Sequence, residues 1–141
     1  MAEETIDRAI REGFLEKAKC VTSNLKLTQQ TTNNTSERLH IYGDNSSDIE
    51  KIIMENPESG RSIDPRLPYT RAEIQWICRN EMPLNIEDVL ARRTRALFLN
   101  ARASADIASE VADLMANEFG YDQKWKEEQL ESYNDLVKNY I

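Results

Sequence analysis

The sequence predicts an all-α domain, and three observations carry that expectation. The 141 residues include only four glycines and four prolines, too few for a fold built from many tight turns. Apolar residues recur three and four positions apart through most of the chain, the spacing of amphipathic helices. Cap-type residues stand where several of those stretches begin. The length fits one domain, and a composition of 40% hydrophobic and 30% charged residues allows a core under a solvated surface.

Ile6, Ala9, Ile10, Gly13 and Phe14 mark the first helix, which begins almost at Met1 with no lead-in. Cys20 to Leu27 reads as an extended connector. The stretch 28–36 contains no apolar residue, so residues 28–38 are expected to be one long, flexible polar loop. Leu39 to Tyr42 resumes apolar character, and Gly43 turns the chain. A short helix is expected from Asp48 to Asn56, with Ser47 as its cap, Glu50 three residues on, and Ile49, Ile52 and Ile53 as its buried stripe. Pro57 and Gly60 end it, and Pro65 and Pro68 keep the connector extended.

Thr70-Arg71-Ala72-Glu73 is a capping box, opening a helix through Ile74, Ile77 and Cys78 that Pro83 breaks. Asn85 can cap the next helix, with Glu87 and Asp88 well placed in its first turn. Ile86 to Phe119 has neither proline nor glycine and is too long for one ordinary helix, so a break is expected near Leu99 to Arg102. Its second half buries Ala108, Val111, Ala112, Met115 and Phe119, and Gly120 supplies a left-handed stop. Asp122 caps a last helix with Trp125, Gln129, Tyr133, Leu136, Val137 and Tyr140 on one face. About six helices result, with no internal repeat.

A formal net charge of −7 disfavours nucleic acid and anionic membrane surfaces as partners. Cys20 and Cys78 form neither metal-type spacing nor a disulfide framework and suit a reducing, cytoplasmic setting. No stretch approaches the roughly 20 apolar residues of a transmembrane segment. Met1-Ala2-Glu3-Glu4 lacks the features of a signal peptide.

The glycines at 13, 43, 60 and 120 stand too far apart for a phosphate-cradling loop, so no cofactor is expected in this chain. His40 could act as a general base, but a partly buried structural histidine is the simpler reading. Asp44, Ser46, Asp48, Glu50 and Glu55 imitate a calcium loop, yet Ile49 occupies the position that needs glycine. No catalytic or metal-ligating residue is therefore assigned. The Asn-x-Ser/Thr triplets at Asn33, Asn34 and Asn45 matter only in a secreted protein.

The string Glu87-Asp88-Val89-Leu90-Ala91-Arg92-Arg93-Thr94-Arg95 is the most distinctive. On a helix Arg92 and Arg95 point outward, with Asp88 one turn before Arg92 for an ion pair. Arg93 falls inside the apolar stripe, between Val89 and Leu97, where a charge must be paired, reach solvent or face a partner. An internal bridge to Glu73 or Glu81 is the favoured reading. A contact with an acidic group of another domain, or with a phosphate, is the alternative. Arg92, Arg93, Arg95 and Asp88 are thus the candidate ion-pair or interdomain residues. Trp76, Trp125, Phe98, Phe119 and Tyr133 lie at helical spacings, as core aromatics usually do, although some could face a partner domain.

From Leu67-Pro68-Tyr69-Thr70-Arg71-Ala72-Glu73, through Arg79-Asn80-Glu81-Met82 and Ile86 to Arg95, the chain resembles the C-terminal domain of FAD-dependent glycerol-3-phosphate dehydrogenases. Phe98-Leu99-Asn100-Ala101-Arg102-Ala103 and Val111 to Gly120 keep the same order and spacing. Family members often carry Asp at the place of Asn100, and Ala-Arg at the place of Pro83-Leu84. The resemblance is strongest from Leu39 to Gly120, and Ala2 to Asp7 is similar to the helix that joins the flavin domain to this one. It implies a parent enzyme that oxidises sn-glycerol 3-phosphate to dihydroxyacetone phosphate and passes electrons through FAD to a quinone, peripheral to the cytoplasmic membrane. Its FAD and substrate sites lie in an N-terminal part, so this chain is expected to be an inactive helical cap packed on that part, with homodimerisation open. Mitochondrial relatives add calcium loops after this domain, which this chain lacks. A stand-alone helical interaction module is the main alternative; a helix-turn-helix regulator and a self-contained enzyme fit the composition less well.

Overall fold

The computed structural model describes residues 2–25 and 37–141. Most of the expected polar loop, residues 28–36, lies outside the described residues. The described elements are α1 (Ala2–Arg11), α2 (Ser46–Glu55), α3 (Arg71–Asn80), a π-helical segment (Asp88–Arg93), α4 (Ala96–Leu99), α5 (Ala101–Phe119) and α6 (Gln123–Val137). Short 3-10 turns cover Thr22–Asn24, Glu37–Asn45 and Pro57–Gly60. Among the described residues there is no strand, only an isolated antiparallel bridge between Ser62 and Thr70. The all-α expectation holds.

α5 is the central helix and packs against α3, α4 and α6. Its inward residues Ile107, Ala108, Val111, Ala112 and Met115 are buried, one stripe at helical spacing. Small residues at Ala103, Ser104, Ala108 and Ala112 let neighbouring helices come close. From the other side Ile74 and Ile77 of α3, Val89 and Leu90 of the π segment, and Tyr133 and Val137 of α6 complete the core. Tyr133 is bonded within it, its hydroxyl 2.6 Å from the Ser104 hydroxyl. Burial raises the Tyr133 pKa.

The caps follow the sequence closely. The Glu73 carboxylate accepts the Thr70 N–H and hydroxyl at 2.8 and 2.7 Å. Asn100 and Asp122 accept the N–H groups of Ala103 and Trp125 at 3.0 and 2.8 Å, opening α5 and α6. Gly120, at φ 73°, ends α5 in the left-handed region expected of it. Gly43, at φ 54°, turns the chain. Gly60 is required for a different reason: a Cβ there would stand 2.9 Å from Ile53 Cγ2.

Several expectations need correction. α2 starts at Ser46, two residues before the expected start; its cap position is Asn45, and the Ser47 hydroxyl donates backwards to the Asp44 carbonyl at 3.0 Å. Residues 37 and 38, assigned to the polar loop, belong to the 3-10 turn, where Leu39 is buried. His40 is exposed, not partly buried. The long helical stretch does break at Asn100, inside the expected range, but it also breaks earlier, at Thr94–Arg95, which was not expected. Phe119 and Tyr140 are partly exposed. None of the residues of α1 is buried, although its apolar stripe is amphipathic as expected.

Candidate functional site

The arginine string occupies the π-helical segment, and the local chemistry explains the widened turn. Asn85 Oδ1 accepts the Asp88 N–H at 2.8 Å, so the cap forms as expected. At the far end the Thr94 N–H donates to the Val89 carbonyl, five residues back, at 2.9 Å. The Thr94 hydroxyl donates to the same carbonyl at 2.8 Å. A buried threonine hydroxyl thus finds its acceptor in the backbone, and the turn opens by one residue to serve both donors. The Thr94 carbonyl accepts the Tyr69 hydroxyl, tying the segment to the connector before α3. Arg95 then takes a left-handed conformation, φ 59°, and its carbonyl accepts the N–H groups of Phe98 and Leu99 at 3.0 and 3.1 Å. α4 begins anew from that point.

The candidate residues separate into two groups. Arg92 donates to Asp88 at 2.8 Å and to Glu87 at 2.6 Å, as the spacing implied for Asp88. Arg93, 26% exposed, donates to the Glu81 carbonyl at 2.9 Å and stands 3.6 Å from the carboxylates of Glu81 and Asp88. Of the internal partners considered for it, Glu81 is used and Glu73 is not. Glu73 is 1% exposed and already holds Arg38 at 2.8 Å beside the Thr70 cap. Tyr42, whose pKa is pushed up by burial and then by Glu73, leans edge-on against Trp76 with ring centroids 5.5 Å apart. Burial alone would push the Asp88 carboxyl up, but the Leu84 N–H, Arg92 and Arg93 outweigh it and hold it below the usual carboxylate range. Asp88 is the hinge of the cluster.

Arg95 belongs to none of this. Its side chain is exposed and makes no hydrogen bond or ion pair among the described residues. The same holds for Arg102, which the sequence reading did not single out. Between them lie Phe98 and Leu99, 56% and 61% exposed. Helical spacing read Phe98 as core, and the break at Arg95 rotates it outward instead. Trp76 is core. Trp125 is half-buried under Tyr121, ring centroids 4.3 Å apart.

This part of the fold does not fit a dinucleotide cofactor. The N-termini of α3, α5 and α6, where a pyrophosphate would bind, are closed by the chain's own Glu73, Asn100 and Asp122 side chains. Among the described residues no group of three or more His, Cys, Asp or Glu is placed to hold a metal ion. No described helix is long and apolar enough to cross a membrane.

A family model for the C-terminal domain of alpha-glycerophosphate oxidase matches residues 12–126. The chain belongs to that family. The match runs from the residue after α1 into the first turn of α6. Among known proteins this family member is 29% identical to the probable mitochondrial glycerol-3-phosphate dehydrogenase of Caenorhabditis elegans, over 97% of its own length and 22% of the relative's. It is 28% identical to the mitochondrial glycerol-3-phosphate dehydrogenase of Bos taurus, over 94% and 21%. The probable mitochondrial enzyme of Dictyostelium discoideum is 25% identical, over 98% and 24%. The chain therefore spans about a quarter or less of the length of these relatives. No solved structure matches it.

Proposed function

We propose that this chain is the helical C-terminal accessory domain, residues 1–141, of an FAD-dependent, quinone-linked glycerol-3-phosphate dehydrogenase. In this reading the complete polypeptide oxidises sn-glycerol 3-phosphate to dihydroxyacetone phosphate, with FAD and substrate held by an N-terminal part. The domain itself is inactive and packs on that part as a cap, joined to it through α1. The complete enzyme sits peripherally at the cytoplasmic membrane surface, where a quinone takes the electrons. The observation that carries the reading is the family match over residues 12–126, together with relatives several times longer that are named glycerol-3-phosphate dehydrogenases. The closed helix termini support it, since they leave flavin binding to other residues.

The test begins with the DNA upstream of the Met1 codon. An in-frame extension encoding a strand, a Gly-x-Gly-x-x-Gly turn and a helix is expected. The complete polypeptide, loaded with FAD, should reduce a quinone-analogue dye on addition of sn-glycerol 3-phosphate, and residues 1–141 alone should not. A stop codon directly before Met1, or a complete polypeptide that leaves the dye oxidised, would overturn the proposal.

A further inference from the structure

We infer that α4, with Arg95 and Arg102 at its two ends, is the face of this domain that docks on the flavin-binding part of the polypeptide. We further infer that the surface it meets is apolar and carries carboxylates. This rests on the function proposed above. The first argument is charge. Every other arginine from Arg38 onward is ion-paired, from Arg38 on Glu73 to Arg93 on Glu81 and Asp88. Arg95 and Arg102 alone among these have no partner among the described residues. In a chain of net charge −7 acids are plentiful, so two unmatched arginines around one four-residue helix are the exception.

The second argument is apolar exposure at the same place. Ala96 and Leu97 face the core, while Phe98 and Leu99 are turned to solvent between the two arginines. The Phe98 ring meets Tyr140 edge-on, centroids 5.6 Å apart, so the patch continues onto the residues after α6, where Ile141 is also exposed. Aromatic residues with arginine compose the buried centre of protein interfaces, and desolvated arginine needs carboxylate or carbonyl partners there. A phosphate site would call for converging polar groups in place of Phe98 and Leu99. A second copy of this chain fits poorly, because a two-fold contact through this patch brings like charges together. Of the three candidate arginines of the string, Arg92 and Arg93 are neutralised internally and offer no free charge, which leaves Arg95.

Hydrogen exchange measured by mass spectrometry tests the assignment. Amides of residues 96–103 should exchange at least tenfold more slowly in the complete polypeptide than in the 141-residue chain. Phe98→Asp combined with Arg102→Glu should return them to the isolated rates, while leaving the melting temperature of the 141-residue chain unchanged. Equal exchange of 96–103 in both contexts overturns the inference. If protection appears elsewhere, at Met82–Leu84 or α1, only the docking face is wrong. If no segment is protected, the cap reading of the domain fails with it. A dimer of the 141-residue chain that Phe98→Asp dissolves would assign the face to a second copy and also overturn the inference.

Discussion

Replacing Arg95 by glycine should stabilise the 141-residue chain. Arg95 holds φ 59°, where a residue with a Cβ costs about 1–2 kcal/mol relative to the right-handed region. Glycine removes that cost but loses about 0.5–1 kcal/mol through its freer unfolded chain. The Arg95 side chain makes no hydrogen bond or ion pair among the described residues, so its removal offsets little. The net gain is about 0.5–1 kcal/mol, or a melting temperature higher by about 1–4 °C for a chain of this size. Circular dichroism at 222 nm through a thermal ramp measures it. Gly120→Ala is the control of opposite sign: Gly120 sits at φ 73°, and alanine there should cost about 1 kcal/mol. A drop of more than 2 °C for Arg95→Gly would refute the reasoning, because it would mean that the side chain holds the α4 turn together. Retention of arginine at a position that favours glycine would then have a structural cause, and the docking face would lose one of its arguments.

Other perturbations test the interior. Glu73→Gln removes the charge that Arg38, the Thr70 N–H and the Thr70 hydroxyl share, and should cost about 2–4 kcal/mol in urea unfolding. Arg93→Met should cost about 1–2 kcal/mol because the Glu81 carbonyl and Asp88 lose a half-buried partner, while Arg92→Met, at a more exposed site, should cost less than about 1 kcal/mol. Equal losses would contradict the distinction drawn between them. Cys20 is exposed and Cys78 buried, with burial pushing the Cys78 thiol up to about 12; at pH 8 a thiol reagent should modify one cysteine promptly and the other only on unfolding. Arg66, through its side chain and its N–H, holds the Asp64 carboxyl down to about 2, below its ordinary 3.8. The stability this confers is complete above the ordinary value and disappears as pH falls through about 2, so Asp64→Asn should flatten the acid limb of the stability curve there.

The helical architecture and most of its caps were legible in the sequence because they depend on local chemistry. Thr70 with Glu73, Asn85, Asp122 and Gly120 act over three or four residues, and a linear reading can find such partners. The expected break is there at Asn100, but the earlier one after Arg93 was missed, for the same reason. Nothing local marks Thr94 as a terminator: its buried hydroxyl competes for the Val89 carbonyl only once α5 and the Tyr69 connector have enclosed it. The error then propagated. With no break expected before Leu99, Phe98 read as core, and Arg95 as an ordinary outward residue of an unbroken helix.

The candidate site turned on the same missed break. Four residues were named from one string, and three of them prove to be an internal network: Asp88 bonded to Arg92, and Arg93 bridging Glu81 and Asp88. Whether an arginine is satisfied depends on partners as far away in sequence as Glu73 is from Arg38, or Glu118 from Arg79, and spacing within a string cannot supply them. Charge composition misleads in the same way. An acidic total suggests a surface with arginines to spare for no one, yet the pairing is uneven, and from Arg38 onward the two left over flank an exposed apolar turn. An arginine cluster in a sequence marks where charge is concentrated. Only the acids each guanidinium already holds show which charge is free to meet another surface, and here they remove Arg92 and Arg93 from the expected contact, keep Arg95 and add Arg102.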